Sequence, residues 1–255
     1  MAASGRKDNR ERIAQRTRRL VAGLLMTLAG IGAVWAWDGL AAFAIREDFD
    51  TLDAWRPLTF PNIARHSRYS IESDGENRVL RADADASASA IVHTSRFAVH
   101  QFPEIHWRWK IQKPLARGDA RTRAGDDYPI RVYVIFEYDP EQASLGQRIQ
   151  YGAAKAIYGQ YPPHSSLNYI WANREHGAAI LTNAYTDRAR MFPLQHGAAR
   201  AGQWIEERRD ILEDYRQAFG TDPPPTATVA IMADTDNTGE RVSAWVDDLV
   251  VGRRP

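Results

Sequence analysis

The chain has 255 residues, 33 Lys+Arg against 32 Asp+Glu, and 44% hydrophobic residues, enough for one large domain or two small ones with a real core. The lack of any cysteine excludes disulfide frameworks, zinc ribbons, iron–sulfur ligation and thiol nucleophiles. A formal charge of +1 argues against nucleic acid as the main partner, and the ordinary composition excludes global disorder.

The charge is unevenly spread. Residues 1–19 hold Arg6, Lys7, Arg10, Arg12, Arg16, Arg18 and Arg19 against only Asp8 and Glu11, and residues 20–37 then carry no charge at all. A helix over that run spans roughly 27 Å at about 1.5 Å per residue, near the lower limit for crossing a bilayer. Arginines at its N-terminal edge place the N-terminus in the cytoplasm and the remainder outside, with Trp35 and Trp37 at the outer interface. Two readings stay open for residues 20–45: a signal anchor in the inner membrane, or a signal peptide cleaved near Ala44 after the Ala42-Phe43-Ala44 triplet. The apolar run exceeds the roughly 7–15 residues of a cleavable signal, which favours the anchor. The expected map is a basic cytoplasmic N-terminus (1–19), the anchor or signal (20–45) and an exported domain (46–255). The protein is then a single-pass membrane protein with a periplasmic domain or, after cleavage, a periplasmic or secreted one.

Beyond residue 46 the pattern turns to period two. Candidate strands run over 67–73, 77–84 and 88–95. Next, Ile105, Trp107, Trp109 and Ile111 alternate with polar residues, and Val132, Val134, Phe136 and Tyr138 alternate with Arg131, Tyr133, Ile135 and Glu137. Residues 140–158 predict a helix from the spacing of Leu145, Ile149, Ala153 and Ile157, closed by Pro162-Pro163. Strands follow over 167–173 and 203–210, then a short helix over 211–219 with Gly220 at the C′ position and Pro223-Pro224-Pro225 barring its continuation. Strands over 226–233 and 241–250 close the chain. Many short strands with few helices predict a mainly β fold, an antiparallel β-sandwich of jelly-roll type with one or two short helices.

Several blocks carry a resemblance: Gly125-Asp126-Asp127-Tyr128-Pro129-Ile130-Arg131-Val132-Tyr133-Val134, Leu167-Asn168-Tyr169-Ile170-Trp171-Ala172, Glu207-Arg208-Arg209-Asp210, Asp214-Tyr215, Phe219-Gly220 and Ile231-Met232-Ala233-Asp234-Thr235-Asp236-Asn237-Thr238-Gly239. In that order, over roughly residues 47–251, the chain resembles the bacterial family catalogued as domain of unknown function 3047. The resemblance implies neither activity nor site residues. The closing Val246-Asp247-Asp248-Leu249-Val250 also resembles, at the level of architecture, the last strand of carbohydrate-binding jelly rolls.

Candidate chemistry is sparse. Asp234-x-Asp236-Asn237-Thr238-Gly239 matches the start of a calcium loop, but position 12 is Trp245 instead of a bidentate Glu, and strands flank it. A turn capped by its own Asx side chains, with Gly239 at positive φ, is the simpler reading; calcium completed by distant oxygens is the alternative, and no other cofactor is expected. No HExxH, Gly-x-Ser-x-Gly elbow or GxGxxG is present. Alternation assigns Trp107 and Trp109 to the core, Trp204 and Trp245 to packing, and Trp171 to a strand face shared with Tyr169 and Asn173. An aromatic face beside an amide suits a sugar ring and its hydroxyls. The expected ligand face therefore comprises Arg131, Glu137, Tyr169, Trp171 and Asn173, with Asp126 and Asp127 at its rim. Three functions follow in order: a non-catalytic envelope module binding a glycan or similar polar ligand, an envelope scaffold, and a glycan-active hydrolase or lyase using a carboxylate pair.

Overall fold

The computed structural model describes residues 42–254 apart from 142, 147, 149, 150 and 153–160, and the alternating segments form two sheets within it. The predicted span 20–37 and most of the predicted helix 140–158 lie outside the described residues. Among the described residues no helix is long and apolar enough to cross a membrane.

The first sheet contains β1 (Phe43–Glu47), β3 (Arg68–Asp74), β4 (Asn77–Asp85), β7 (Glu104–Ile111), β12 (Ile205–Asp210) and β14 (Arg241–Gly252). Its order is β12-β7-β14-β4-β3, with β1 also on β14. The second contains β2 (Trp55–Leu58), β5 (Ala88–His93), β6 (Phe97–Ala98), β8 (Tyr128–Phe136), β9 (Ser165–Ala172), β10 (Leu181–Thr182), β11 (Ala189–His196) and β13 (Thr226–Asp234). Its order is β10-β11-β9-β8-β13-β5-β2, with β6 also on β13. The fold is thus mainly β and sandwich-like, as the alternation predicts.

Strands β7 and β8 bury the face their alternation assigns. Ile130, Val132, Val134 and Phe136 of β8 point into the core, and so do Ile105, Trp107, Trp109 and Ile111 of β7. Trp107 meets Tyr169 at 5.2 Å between ring centroids, and Trp109 meets Trp171 at 5.9 Å, so an aromatic stack joins the sheets. Three of the four polar edges of this stack find partners, and Trp107 Nε1 is buried without one. Trp109 Nε1 donates to Glu207 (3.2 Å), Trp171 Nε1 to the Gly197 carbonyl (3.1 Å), and the Tyr169 hydroxyl to Asp214 (2.9 Å). Asp214 is held in turn by Arg209 on β12. Its own element, α1 (Ile211–Phe219), coincides with the predicted helix: the Asp210 side chain accepts from Glu213 N–H, and Gly220 closes it at φ 73°.

Three features depart from the sequence reading. The sheets are not wholly antiparallel, because β11 lies parallel to β9; Pro193 inside β11 hides it from a strand search. Strand β1 starts at Phe43, within the stretch assigned to the anchor or signal. Ile45 is buried and pairs with Val251, so residues 43–45 belong to the sheet. Trp204 and Trp245 are half-buried on the outer side of the first sheet instead of in the core. Lys110 sits over both rings at 4.7 and 4.9 Å, and their indole N–H groups donate to Asp74 and Glu72.

Candidate functional site

The outer side of the second sheet holds an open cleft of about 490 Å3. Its floor comes from the outward residues of the three central strands, Arg131 and Tyr133 of β8, Asn168 of β9, and Met232 and Asp234 of β13. The register explains their meeting: Arg131 stands opposite both Met232 and Ile170, and Tyr133 stands opposite Asn168. Phe60, Pro61 and Ile63, after β2, form an apolar wall; Asn183, Tyr185, Asp236 and Asn237 bring polar groups to the cleft. Small clusters outside the sheet support both parts. One contains Tyr128, Ile170, Ala172 and Met191, and the other contains Ala88, Ala90 and Met232 with Phe60, Ile63 and Tyr133.

Arg131 is the centre of the polar arrangement. Its side chain is 5% exposed and pairs with Asp234, while Nη1 lies 3.8 Å from Asp126 Oδ1. Its guanidinium stands over the rings of Tyr128 (4.6 Å) and Tyr133 (5.8 Å), and Nε has no hydrogen-bond partner. Asp234 Oδ1 also accepts the Tyr128 N–H (3.2 Å). Asp126 accepts from Asn183 at 2.9 Å through Oδ2, whereas its buried Oδ1 has no hydrogen-bond partner. A buried charge without its full set of donors is costly, so both atoms are suited to a ligand.

Asp127 does different work. It is fully buried and ties down the turn between β13 and β14: Oδ1 accepts from Asn237 Nδ2 (3.0 Å) and Oδ2 from the Thr238 N–H (2.6 Å). Gly239 adopts φ 65°, as expected, and donates to the Thr235 carbonyl (2.8 Å). The turn is therefore capped by a carboxylate 110 residues earlier in the chain, in addition to its own backbone. Carboxylate oxygens of Asp127, Asp234 and Asp236 lie within 4.8 Å of one another, the residues that could hold a cation. Most of their acceptor capacity is already taken by N–H groups and Arg131. Asp236 is the exception. Burial, then the charge of Asp127, pushes its carboxyl above the ordinary range.

The residues predicted as one face separate. Arg131, Asp126 and Asp127 meet as described. Tyr169 and Trp171 do not join them, because Arg131 aligns with Ile170, one residue out of phase, and both aromatics turn inward to full burial. Glu137 lies beyond the end of β8 and pairs with Arg96, so the carboxylates beside Arg131 are Asp234 and Asp126 instead. Asn173 is a strut: Oδ1 accepts the Leu115 N–H (2.8 Å) and Nδ2 donates to the Asp127 carbonyl (2.6 Å). The segment crossing it needs a glycine, since a Cβ on Gly118 would sit 2.0 Å from Asn173 Nδ2. The sequence reading missed Asn168, Asn183 and Tyr185. Asn168 shares the Ile170 phase of β9 and was readable from alternation, whereas Asn183 and Tyr185 arrive on a connection with no period.

A wider depression of about 820 Å3 lies on the first sheet, but its charged side chains satisfy one another, as in Arg208–Glu104, Arg108–Asp248 and Arg46–Asp48. The acidic pair of the last strand serves this side: Asp247 and Asp248 clamp Arg108 at a bulge where Asp248 takes φ 51°.

Over residues 53–250 the sequence matches the family described as a protein of unknown function, DUF3047. No curated protein matches. Solved structures similar to this chain include the enzymatically active domain of tailspike protein 4 of bacteriophage CBA120, at TM-score 0.42 and 6% identity over 84% of this chain and 22% of that one. The family 11 carbohydrate-binding module of Clostridium thermocellum is similar at TM-score 0.38 and 9% identity, over 81% of this chain and 94% of that one. The module CBM27-1 of Caldicellulosiruptor saccharolyticus is similar at TM-score 0.38 and 11% identity, over 82% and 96%.

Proposed function

The chain belongs to the DUF3047 family of proteins of unknown function, and from its own site we propose that it is an envelope protein binding a glycan in the cleft of the second sheet. The single observation carrying this reading is the pairing, in one open cleft, of an apolar wall with amides and carboxylates around Arg131. A sugar ring needs both: carbon–hydrogen faces pack on Phe60, Ile63, Tyr133 and Met232, and hydroxyls meet Asn168, Asn183 and Asp126. The domain is exported and held at the inner membrane by the uncharged run over residues 20–37, a reading supported by the basic run before it.

Thermal unfolding of the full-length chain against a glycan panel tests binding. A ligand at ten times its Kd adds about 1.4 kcal/mol, roughly 3–6 °C for a domain of this size. Tyr133→Ala should abolish the shift while leaving the fold intact. A shift that survives both Tyr133→Ala and Asn168→Ala, or none with any glycan, overturns the assignment.

One observation favours a second reading, a glycan hydrolase. Asp234 is ion-paired with Arg131 and Asp236 is pushed toward its protonated form, two carboxyl groups with opposed environments in one cleft. Their carboxylate oxygens lie within 4.8 Å of one another, so both could face one bond of a bound sugar. New reducing ends released from the bound glycan, and lost in Asp236→Asn, would establish turnover.

A further inference from the structure

Charge in the cleft goes beyond generic sugar binding. Asp126, Asp127, Asp234 and Asp236 surround one buried guanidinium, that of Arg131. Arg131 is the one Arg or Lys among the residues lining the cleft; Arg123 lies over the Tyr185 ring at 5.3 Å and is bonded to the Ala184 carbonyl. The site is therefore net acidic even with both arginines counted.

Two acceptors within it have spare capacity. Asp127 and Asp234 have both oxygens engaged by N–H donors. Asp126 Oδ1 does not. It sits on a side chain 5% exposed that lines the cleft, it has no hydrogen-bond partner, and its ion pair with Arg131 is long at 3.8 Å. Asp236 lines the same cleft and, among the described residues, makes no hydrogen bond through its carboxylate to another side chain. Each would be relieved by a donor that also brings positive charge.

We propose that the ligand carries a protonated primary amine, so that the cleft selects a de-N-acetylated amino sugar over neutral or anionic sugars. This rests on the glycan reading above and deepens it. An ammonium has three donors on a compact charge. An acetamido group offers one neutral donor and leaves the acidic excess uncompensated. A uronate or sulfate adds like charge to it. A divalent ion fits less well, because calcium takes about six to eight oxygens, and those of Asp127 and Asp234 already face N–H groups and a guanidinium.

The test is calorimetric titration of the full-length chain, at fixed ionic strength, with four probes: a β-1,4-glucosamine tetramer, its N-acetylated counterpart, a galacturonate tetramer and calcium chloride. The amine tetramer should bind at least tenfold more tightly than the N-acetylated one. Asp236→Asn should cut that advantage to threefold or less, whereas Asp222→Asn, an exposed acid outside the cleft, should leave it unchanged. Equal affinity for the two tetramers, tightest binding of the galacturonate, or equal loss in the two variants overturns the amine assignment and leaves glycan binding standing. Heat from calcium with no glycan, or from no probe, overturns both.

Discussion

Asp127→Asn probes the joint between fold and cleft. The carboxylate is fully buried and receives N–H groups from Asn237 and Thr238 on its two separate oxygens. The amide keeps one oxygen and places an NH2 where the other stood, so one of those donors must lose its acceptor whichever way the amide turns. An unsatisfied buried donor costs about 1–3 kcal/mol, and the remaining bond loses its charge assistance, worth about 1 kcal/mol more. Against this, removing the charge relieves Asp236, which Asp127 pushes upward, and returns up to about 1 kcal/mol. The net is a loss of about 1–4 kcal/mol, or roughly 2–16 °C in Tm at about 2–4 °C per kcal/mol. Circular dichroism melting of the full-length variant beside wild type reads this directly. A drop under about 1 °C would show that the turn carrying Asp236 is not held from Asp127, and would refute the account of how the cleft is built.

Three further outcomes follow from particular contacts. Trp171→Ala leaves a cavity in the inter-sheet stack and should cost about 3–5 kcal/mol in chemical denaturation, whereas an equally destabilising Tyr133→Ala would contradict the placement of Tyr133 on an outer face. Because the folded chain holds the Asp236 proton to higher pH than the unfolded chain, its ionisation removes stability as pH rises above about 4; Asp236→Asn should be the more stable protein at pH 7 and lose that advantage below pH 4, and an equal difference at both would count against the shift. The His176 side chain is buried with neither ring nitrogen hydrogen-bonded, Nδ1 standing 3.9 Å from Asp119, and burial pulls it below the ordinary histidine range. Its contribution is present above about pH 6.5 and is lost as pH falls through that region, so His176→Phe should melt with a shallower acid limb; an unchanged limb would assign it elsewhere, starting with half-buried His164.

What could be read from the chain was local. Period-two alternation located nine of the strands, including β7 and β8 with the correct face inward, and Gly220 and the three prolines marked the C-terminal end of α1. Those signals are local because backbone pleat and helix capping act over a few residues. The same alternation identified Tyr133 as a neighbour of Arg131, yet attached it to no site.

Register and long-range partners were decided only by the tertiary structure. Alternation fixes which residues of a strand share a face but not how that strand aligns with the next, and a one-residue difference turned Tyr169 and Trp171 into core. Asp127 bonds a turn 110 residues away, and Arg131 selects Asp234, 103 residues on, over Glu137 at the end of its own strand. Each pairing follows from sheets closing on a shared aromatic core, where a buried guanidinium takes whichever carboxylate the packed strands bring to it.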